Sequence, residues 1–362
     1  MVKAKNSKED AIASKIARIL ANGHDGQRLP RVRDLMAEFK TSQRVVQRAI
    51  APYVSLGKIE VRRGLGMVIS VPETITETYD ADCLILYRDS ESRLPRRLLI
   101  ELVAHLRRAG YRVVLSGFNN EARALELLEN RGRVRCCLLQ TNFENVSVKL
   151  LAQIKNVADS LVIDGVSVTG IDADVIGTNW REALSIGYRK LVSQGHTRIS
   201  FLTSSHGARQ IAMARREFLL LSEWQGPGPC PLLCQVDRLP GSYQREDLLA
   251  ALPNRNNGEG AATALIIWGL VDGYLLDSAL NENNLRLGDD ISILLLGSVD
   301  VASEHVTRFN MVGNSDAEKL QLFERTIISR IEGDTSVTQT HYLPIYLLDH
   351  GSIQLLDATT GA

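Results

Sequence analysis

The sequence predicts an α/β chain in two parts: a small basic unit of three helices closed by a hairpin, then a larger unit with two parallel α/β sheets. Three observations carry this. Positive charge gathers at the N-terminus, short amphipathic helical patterns there end in a Gly-punctuated pair of strands, and from residue 82 short apolar runs alternate with amphipathic helices. A length of 362 residues also exceeds what one compact core usually holds.

Whole-chain composition hides the asymmetry, because 42 Lys and Arg balance 42 Asp and Glu. Through Pro72 there are 14 Lys and Arg against 6 Asp and Glu, and the remainder has 28 against 36, so the parts carry +8 and −8. A phosphate field acts over a Debye length of about 8 to 10 Å, so local charge matters more than the net. The basic end is the expected DNA end. No apolar run has the length of a bilayer span, and the opening MVKAKNSKED is polar where a secretory signal is apolar, which together predict a cytoplasmic protein without a membrane partner. Five cysteines without metal-ligand spacing fit a reducing compartment, and neither a metal nor a cofactor is expected. Cys136 and Cys137 lie in an apolar run and read as buried strand residues, whereas Cys230 and Cys234 flank Pro231 in an expected loop.

Ile12, Ile16, Ile19 and Leu20 share one helical face, predicting a first helix over 9–21 that Asn22-Gly23 closes. Val32, Leu35, Met36 and Phe39 recur at helical spacing and give a second helix with Pro30 at its start. Thr41 and Ser42 form the turn and N-cap of a third helix from Gln43, which buries Val46, Ala49, Ile50 and Tyr53. That leaves Gln43, Arg44, Gln47 and Arg48 on the outer face. Arg and Gln can pair with guanine and adenine edges in the major groove, so this is the expected recognition helix. Pro52 removes the bond to the Arg48 carbonyl and is expected to kink or shorten the helix beyond its reading end. Strands over 58–61 and 67–69 then flank Arg62-Arg63-Gly64-Leu65-Gly66, whose arginines at a tight tip suit phosphate or minor-groove contact.

That order is a winged helix-turn-helix. Leu29-Pro30-Arg31-Val32-Arg33, Ser42 before the third helix, and Arg63-Gly64-Leu65-Gly66-Met67-Val68 resemble the GntR family of bacterial transcription factors. The resemblance implies DNA contacts by Arg33, Ser42, Gln43, Arg44, Gln47 and Gly64. Family members often carry Arg where this chain has Gln43 and Gln47, which implies a different base preference.

A polar, Thr-rich linker over 72–80 separates this DNA-binding unit, 1–71, from the rest, 81–362. Strands are predicted over 83–87, 112–116, 136–140, 160–163, 199–202, 264–267 and 291–296, with helices over 95–109 and 121–130. Such βα repetition builds parallel sheets with ligands at the carboxyl ends of the strands.

Asp174-Val175-Ile176-Gly177-Thr178-Asn179, then Gly195-His196-Thr197-Arg198-Ile199, Leu287-Gly288-Asp289-Asp290-Ile291 and Gly297-Ser298-Val299-Asp300 resemble the LacI/GalR effector domain, itself akin to periplasmic sugar-binding proteins. Tyr342-Leu343-Pro344-Ile345 is similar to that family's final strand. The resemblance implies a two-lobed periplasmic-binding-protein-like fold that binds an effector and dimerises, with lobe 1 over 81–178 and 309–341 and lobe 2 over 179–308 and 342–353. It makes His196 a turn-stabilising residue. The candidate effector contacts are Asp89, Ser90, Asn142, Asn179, Arg209, Arg215, Trp268 and Asp300. The family's polar sugar contacts are replaced or out of register around Phe218, Trp268-Gly269-Leu270 and Ser298-Val299-Asp300. A carbohydrate, another small ligand, and a pocket that no longer senses all stand as alternatives.

The function these readings imply is a transcriptional regulator of repressor type that binds a palindromic double-stranded DNA operator as a homodimer under small-molecule control. A constitutive DNA-binding protein with a vestigial sensor is the alternative. An enzyme is not expected, because Gly-x-Ser-x-Gly, phosphate-loop and His-Glu-x-x-His motifs are absent from the sequence.

Overall fold

The computed structural model describes residues 3–24, 26–62, 66–70, 79–143, 145–165, 170–223, 232–253, 261–300 and 308–356. Arg63 and Gly64 of the expected wing tip, the side chain of Arg62, Cys230 and most of the expected linker lie outside the described residues. The chain divides into unit 1, Met1–Thr78, and unit 2, Tyr79–Ala362.

In unit 1, α1 (Lys3–Asn22) begins earlier than its apolar face alone suggests, since Lys, Ala and Glu before Ile12 all favour helix. The second helix, α2 (Val32–Glu38), is capped by Arg31, whose backbone N–H donates to Asp34 at 3.3 Å. Pro30 therefore precedes the cap and lies outside the first turn. In α3 (Gln43–Ser55), Ser42 is the N-cap and Val45, Val46, Ala49 and Ile50 turn inward. Pro52 sits near the end of α3, and the helix runs on to Ser55. Leu56 and Gly57 follow, and Gly57 takes φ +68°, which glycine adopts without steric cost. The strands β1 (Ile59–Arg62) and β2 (Gly66–Ile69) pair antiparallel, with Ile59 opposite Ile69. Ile12, Ile16, Leu35, Val46, Ile59 and Ile69 form part of one core, and Tyr53 Oη donates to the Ala13 carbonyl to tie α3 to α1.

Among its described residues unit 2 holds two six-stranded sheets. Lobe 1 contains β3 (Ala81–Arg88), α4 (Arg96–Arg108), β4 (Val113–Phe118), α5 (Glu121–Glu129), β5 (Val134–Gln140), α6 (Val148–Val157), β6 (Ala158–Asp164) and β7 (Asp174–Gly177). The chain then crosses to lobe 2 for α7 (Trp180–Ser193), β8 (Ile199–Ser204), α8 (Arg209–Glu223), β9 (Leu232–Val236), α9 (Arg245–Ala251), β10 (Ala264–Trp268), α10 (Gly273–Glu282), β11 (Ser292–Leu296) and β12 (Asn310–Gly313). It returns through α11 (Asp316–Ile331) and β13 (Thr340–Tyr342), and crosses again to β14 (Tyr346–Leu348). The strand orders are β13-β7-β6-β5-β3-β4 and β14-β12-β11-β10-β8-β9. All pairs are parallel except β12 with β14.

Three expectations need correction. Residues 310–313, expected in lobe 1, pair with β11 in lobe 2, so the return crossing follows Gly313. The stretch 342–345 is not one strand: β13 ends at Tyr342, the Leu343 N–H donates to the Gly177 carbonyl, and Pro344 has no N–H to continue a ladder. Cys234, expected in a loop, lies in β9 opposite Leu202.

The alternation of β5 sends Cys136 toward α4 and α11 and Cys137 toward α5 and α6, so adjacent cysteines enter two cores. Burial pushes both thiols above their ordinary range, as expected for packing rather than reactive residues. Among the described residues the most buried ion pair joins Arg330 of α11 to Asp174 of β7. Its Nε–Oδ2 and Nη2–Oδ1 distances are 2.7 and 3.1 Å, and Asp174 also accepts the Gln339 N–H. That bidentate geometry fixes α11 against lobe 1.

Candidate ligand cleft and nucleic-acid interface

The crossings place the carboxyl ends of both sheets around one cleft. A side chain at Gly177 would put its Cβ 1.7 Å from the Gly165 carbonyl oxygen, and one at Gly313 would stand 1.7 Å from that of Gly297. Both crossing strands therefore require glycine. Next to them Thr178 Oγ1 donates to Asn314 Oδ1 at 2.8 Å, a buried bond between the two crossings.

Lobe 1 supplies mainly polar groups. Gln140 ends β5 and Asp164 ends β6, and both line the cleft with Asn142, Thr178, Arg93 and Arg97. Lys319 on the first turn of α11 pairs with Asp164 at 2.7 Å. Burial raises the carboxyl of Asp316 above the usual carboxylate range, with Lys319 acting in the opposite direction. Asn142 and Phe143 take φ of +44° and +69°, a strained pair that projects Phe143 across the cleft. Its ring meets Trp268 of lobe 2 edge-on at 6.0 Å, and Trp180 packs on the same indole at 5.4 Å.

Lobe 2 borders the cleft with the buried Trp268, Leu270, Leu295, Leu296 and Met311, and its half-buried side chains there are Trp180, Gln210, Val271 and Ser298. At the mouth, the Ser92 hydroxyl donates to the Pro240 carbonyl at 2.6 Å, and the Arg93 N–H reaches Gly241 O at 3.4 Å. The cleft volume is about 210 Å³.

Of the eight residues expected to touch an effector, the structure brings Asn142 and Trp268 to the cleft wall. Ser90 stands just behind, accepting a hydrogen bond from Asn142 Nδ2. Asp89 is absent from the lining, and its N–H pairs with Phe118 O. Asn179 caps α7 by accepting from the Glu182 N–H, so its side chain is spent on the helix. Arg209 opens α8 outside the lining, where its neighbour Gln210 takes the cleft position. Arg215 is turned to the Ser204 carbonyl at 3.1 Å and Gln235 Oε1 at 2.8 Å.

Asp300 is the clearest displacement. It receives the backbone N–H groups of Asp316 and Ala317 at 2.7 and 2.9 Å and the hydroxyls of Ser298 and Ser315. Burial works against its ionisation, but these donors outweigh it and hold the carboxyl down to about 2. It anchors the α11 N-terminus instead of a ligand.

Gln140, Asp164, Asp316 and Lys319 were missed as cleft residues. The first two carried a usable signal, each being the last residue of a parallel strand. The α11 pair carried none, since only the second crossing brings that helix to the cleft. His196 is buried, with Nδ1 2.9 Å from Thr263 Oγ1 and Nε2 3.2 Å from Gln354 O, and burial lowers its pKa. It ties its turn to the C-terminal segment.

In unit 1, Ser42, Gln43, Arg44 and Gln47 are exposed along the start of α3, and Arg33 is exposed on α2. Arg48 is also exposed but pairs with Glu9 of α1 at 3.2 Å, which turns it away from the row formed by its neighbours. Among the described residues no His, Cys, Asp or Glu group is arranged to hold a metal ion, and no helix is long and apolar enough to cross a membrane.

No protein-family profile and no curated protein matches the chain. Solved structures do. A LacI-family transcriptional regulator from Enterococcus faecium with bound ribose aligns at 15% identity and TM-score 0.61, over 76% of this chain and 99% of its own. A LacI transcriptional regulator from a Rhodococcus species aligns at 14% identity and TM-score 0.58, over 75% and 98%. The Lac repressor bound to ONPG in its repressed state aligns over 93% of this chain and 95% of its own, at 14% identity and TM-score 0.58. Unit 2 therefore has the two-lobed, parallel-sheet fold of these regulators.

Proposed function

We propose that the chain is a DNA-binding transcriptional regulator in which unit 1 reads duplex DNA as a winged helix-turn-helix and the cleft of unit 2 receives a small-molecule effector. The observation that carries the reading is the exposed row Ser42, Gln43, Arg44 and Gln47 at the N-terminal end of α3, on a basic three-helix unit with a following hairpin. Gln43, Arg44 and Gln47 are long and exposed and suit base edges, and the Ser42 hydroxyl suits phosphate. The two-lobed fold of unit 2 supports the sensor half, because an effector that favours one arrangement of the lobes shifts DNA affinity by its differential binding. Acting as a homodimer, the protein would place two recognition helices one helical turn apart, about 34 to 36 Å, on an inverted repeat. A soluble cytoplasmic location and repression follow from the same reading.

Selection from a randomised duplex library tests it. The full chain is expected to enrich an inverted repeat, and an unenriched library after repeated rounds would overturn the DNA-binding half.

A further inference from the structure

The mouth of the cleft is fastened by the protein's own groups. The turn between β9 and α9 stands at the rim of lobe 2, where connecting segments are ordinarily exposed, yet Pro240 and Gly241 are both buried. What covers them is the segment that follows β3 in lobe 1. Ser92 is 6% exposed, and the bond from its hydroxyl to the Pro240 carbonyl is itself buried. Leu94, half-buried, enters a notch bordered by two glycines: a Cβ at Gly241 would stand 2.8 Å from Leu94 Cγ, and one at Gly269 would stand 3.2 Å from its Cδ1. Their φ angles are +89° and +78°, so glycine serves both the turn and the close approach.

A second contact crosses from the same lobe. The Phe143 ring packs on the lobe 2 core beside Trp180 and Trp268. Ser90 ties the two contacts together, because its hydroxyl oxygen accepts both from Asn142 Nδ2, next to Phe143, and from the Ser92 N–H at 3.3 Å. Leu94 and Phe143 are therefore held as one unit on lobe 1 and both seat on lobe 2.

We propose that Leu94 and Phe143 are the two pegs of a built-in latch, which holds the lobes closed by protein contacts alone. Release of the latch, and not bridging by a ligand, then sets the balance between closed and open forms. An effector that enters through the open form binds more weakly in proportion to the open fraction. The proposal deepens the sensor half of the function proposed above and is independent of the DNA-binding half.

The distance between the lobes tests it. Spin labels at Asn119→Cys, just past β4, and Tyr274→Cys, at the start of α10, are on exposed positions of the two lobes. Pulsed electron resonance reads their separation in the full chain carrying Cys230→Ser and Cys234→Ser, diluted with unlabelled protein so that each distance lies within one chain. The labelled parent, without added ligand, is expected to give one narrow distance. Ser92→Ala combined with Leu94→Ala should add a longer one, the open population rising about tenfold or more, since a leucine contact and a hydrogen bond are lost. Phe143→Gly, which also relieves a φ of +69°, should add the longer distance from the other peg, with the parent's circular dichroism kept. Variants that keep the single distance of the parent, or a parent already spread between short and long distances, would overturn the latch. Either result leaves the sensor reading standing, with closure then driven by the ligand, and the library selection still decides the DNA-binding half.

Discussion

The two lobes of unit 2 repeat one strand order and then face each other with opposite chemistry. Lobe 1 ends its central strands in Gln140 and Asp164, and lobe 2 ends the corresponding strands in Trp268 and Leu296. Topology therefore puts strand ends at the cleft without deciding what they offer. The polar wall is also the constructed one, because α11 brings Asp316 and Lys319 to it and is held by Arg330–Asp174 at one end and Asp300 at the other. The apolar wall is core that reaches the cleft, since Trp268 is 1% exposed and belongs to the packing around α7 and α8.

Substitutions on the two walls should accordingly differ in kind. Trp268→Ala removes a large buried side chain and is expected to cost about 3–5 kcal/mol in urea unfolding, with ligand binding lost as a consequence. Arg330→Met leaves Asp174 buried without its partner and should cost a similar 3–5 kcal/mol or so. A stability unchanged by Arg330→Met would show that α11 is held by other contacts. Asp300→Asn should cost about 1 kcal/mol, as loss of a helix cap does. It should also remove an acid-side dependence: a carboxyl held at about 2 contributes stability above its unfolded range near 4, lost as pH falls toward 2. An identical acid profile for Asp300→Asn and the parent would contradict that role. Gln140→Leu sits at the small end, with stability unchanged or raised by about 1 kcal/mol.

The contrast also marks how far the sequence was legible. Strands and helices were visible because apolar runs and amphipathic faces are local, and Gly177 could be placed at a crossing on its motif. Trp268 and Asn142, expected as effector contacts, line the cleft because they stand at or just past strand ends. Asp300 was misjudged because its position after Gly297 resembles a ligand contact, while the N–H groups that occupy it come from residues 316 and 317. Lys319 and Asp164 are far apart in the chain, and nothing local announces their pairing. Arg48 has the helical phase of a reader, yet Glu9 on another helix engages it.

The central claim is that the chain reads duplex DNA with the start of α3. Fluorescence anisotropy on a duplex recovered from the library, beside a scrambled duplex of equal length, tests it most directly. Arg44→Ala should weaken the selected duplex by about 1–3 kcal/mol, roughly tenfold or more, and leave the scrambled duplex nearly unchanged. Equal weakening on both, or a parent protein that does not distinguish them, would contradict the account.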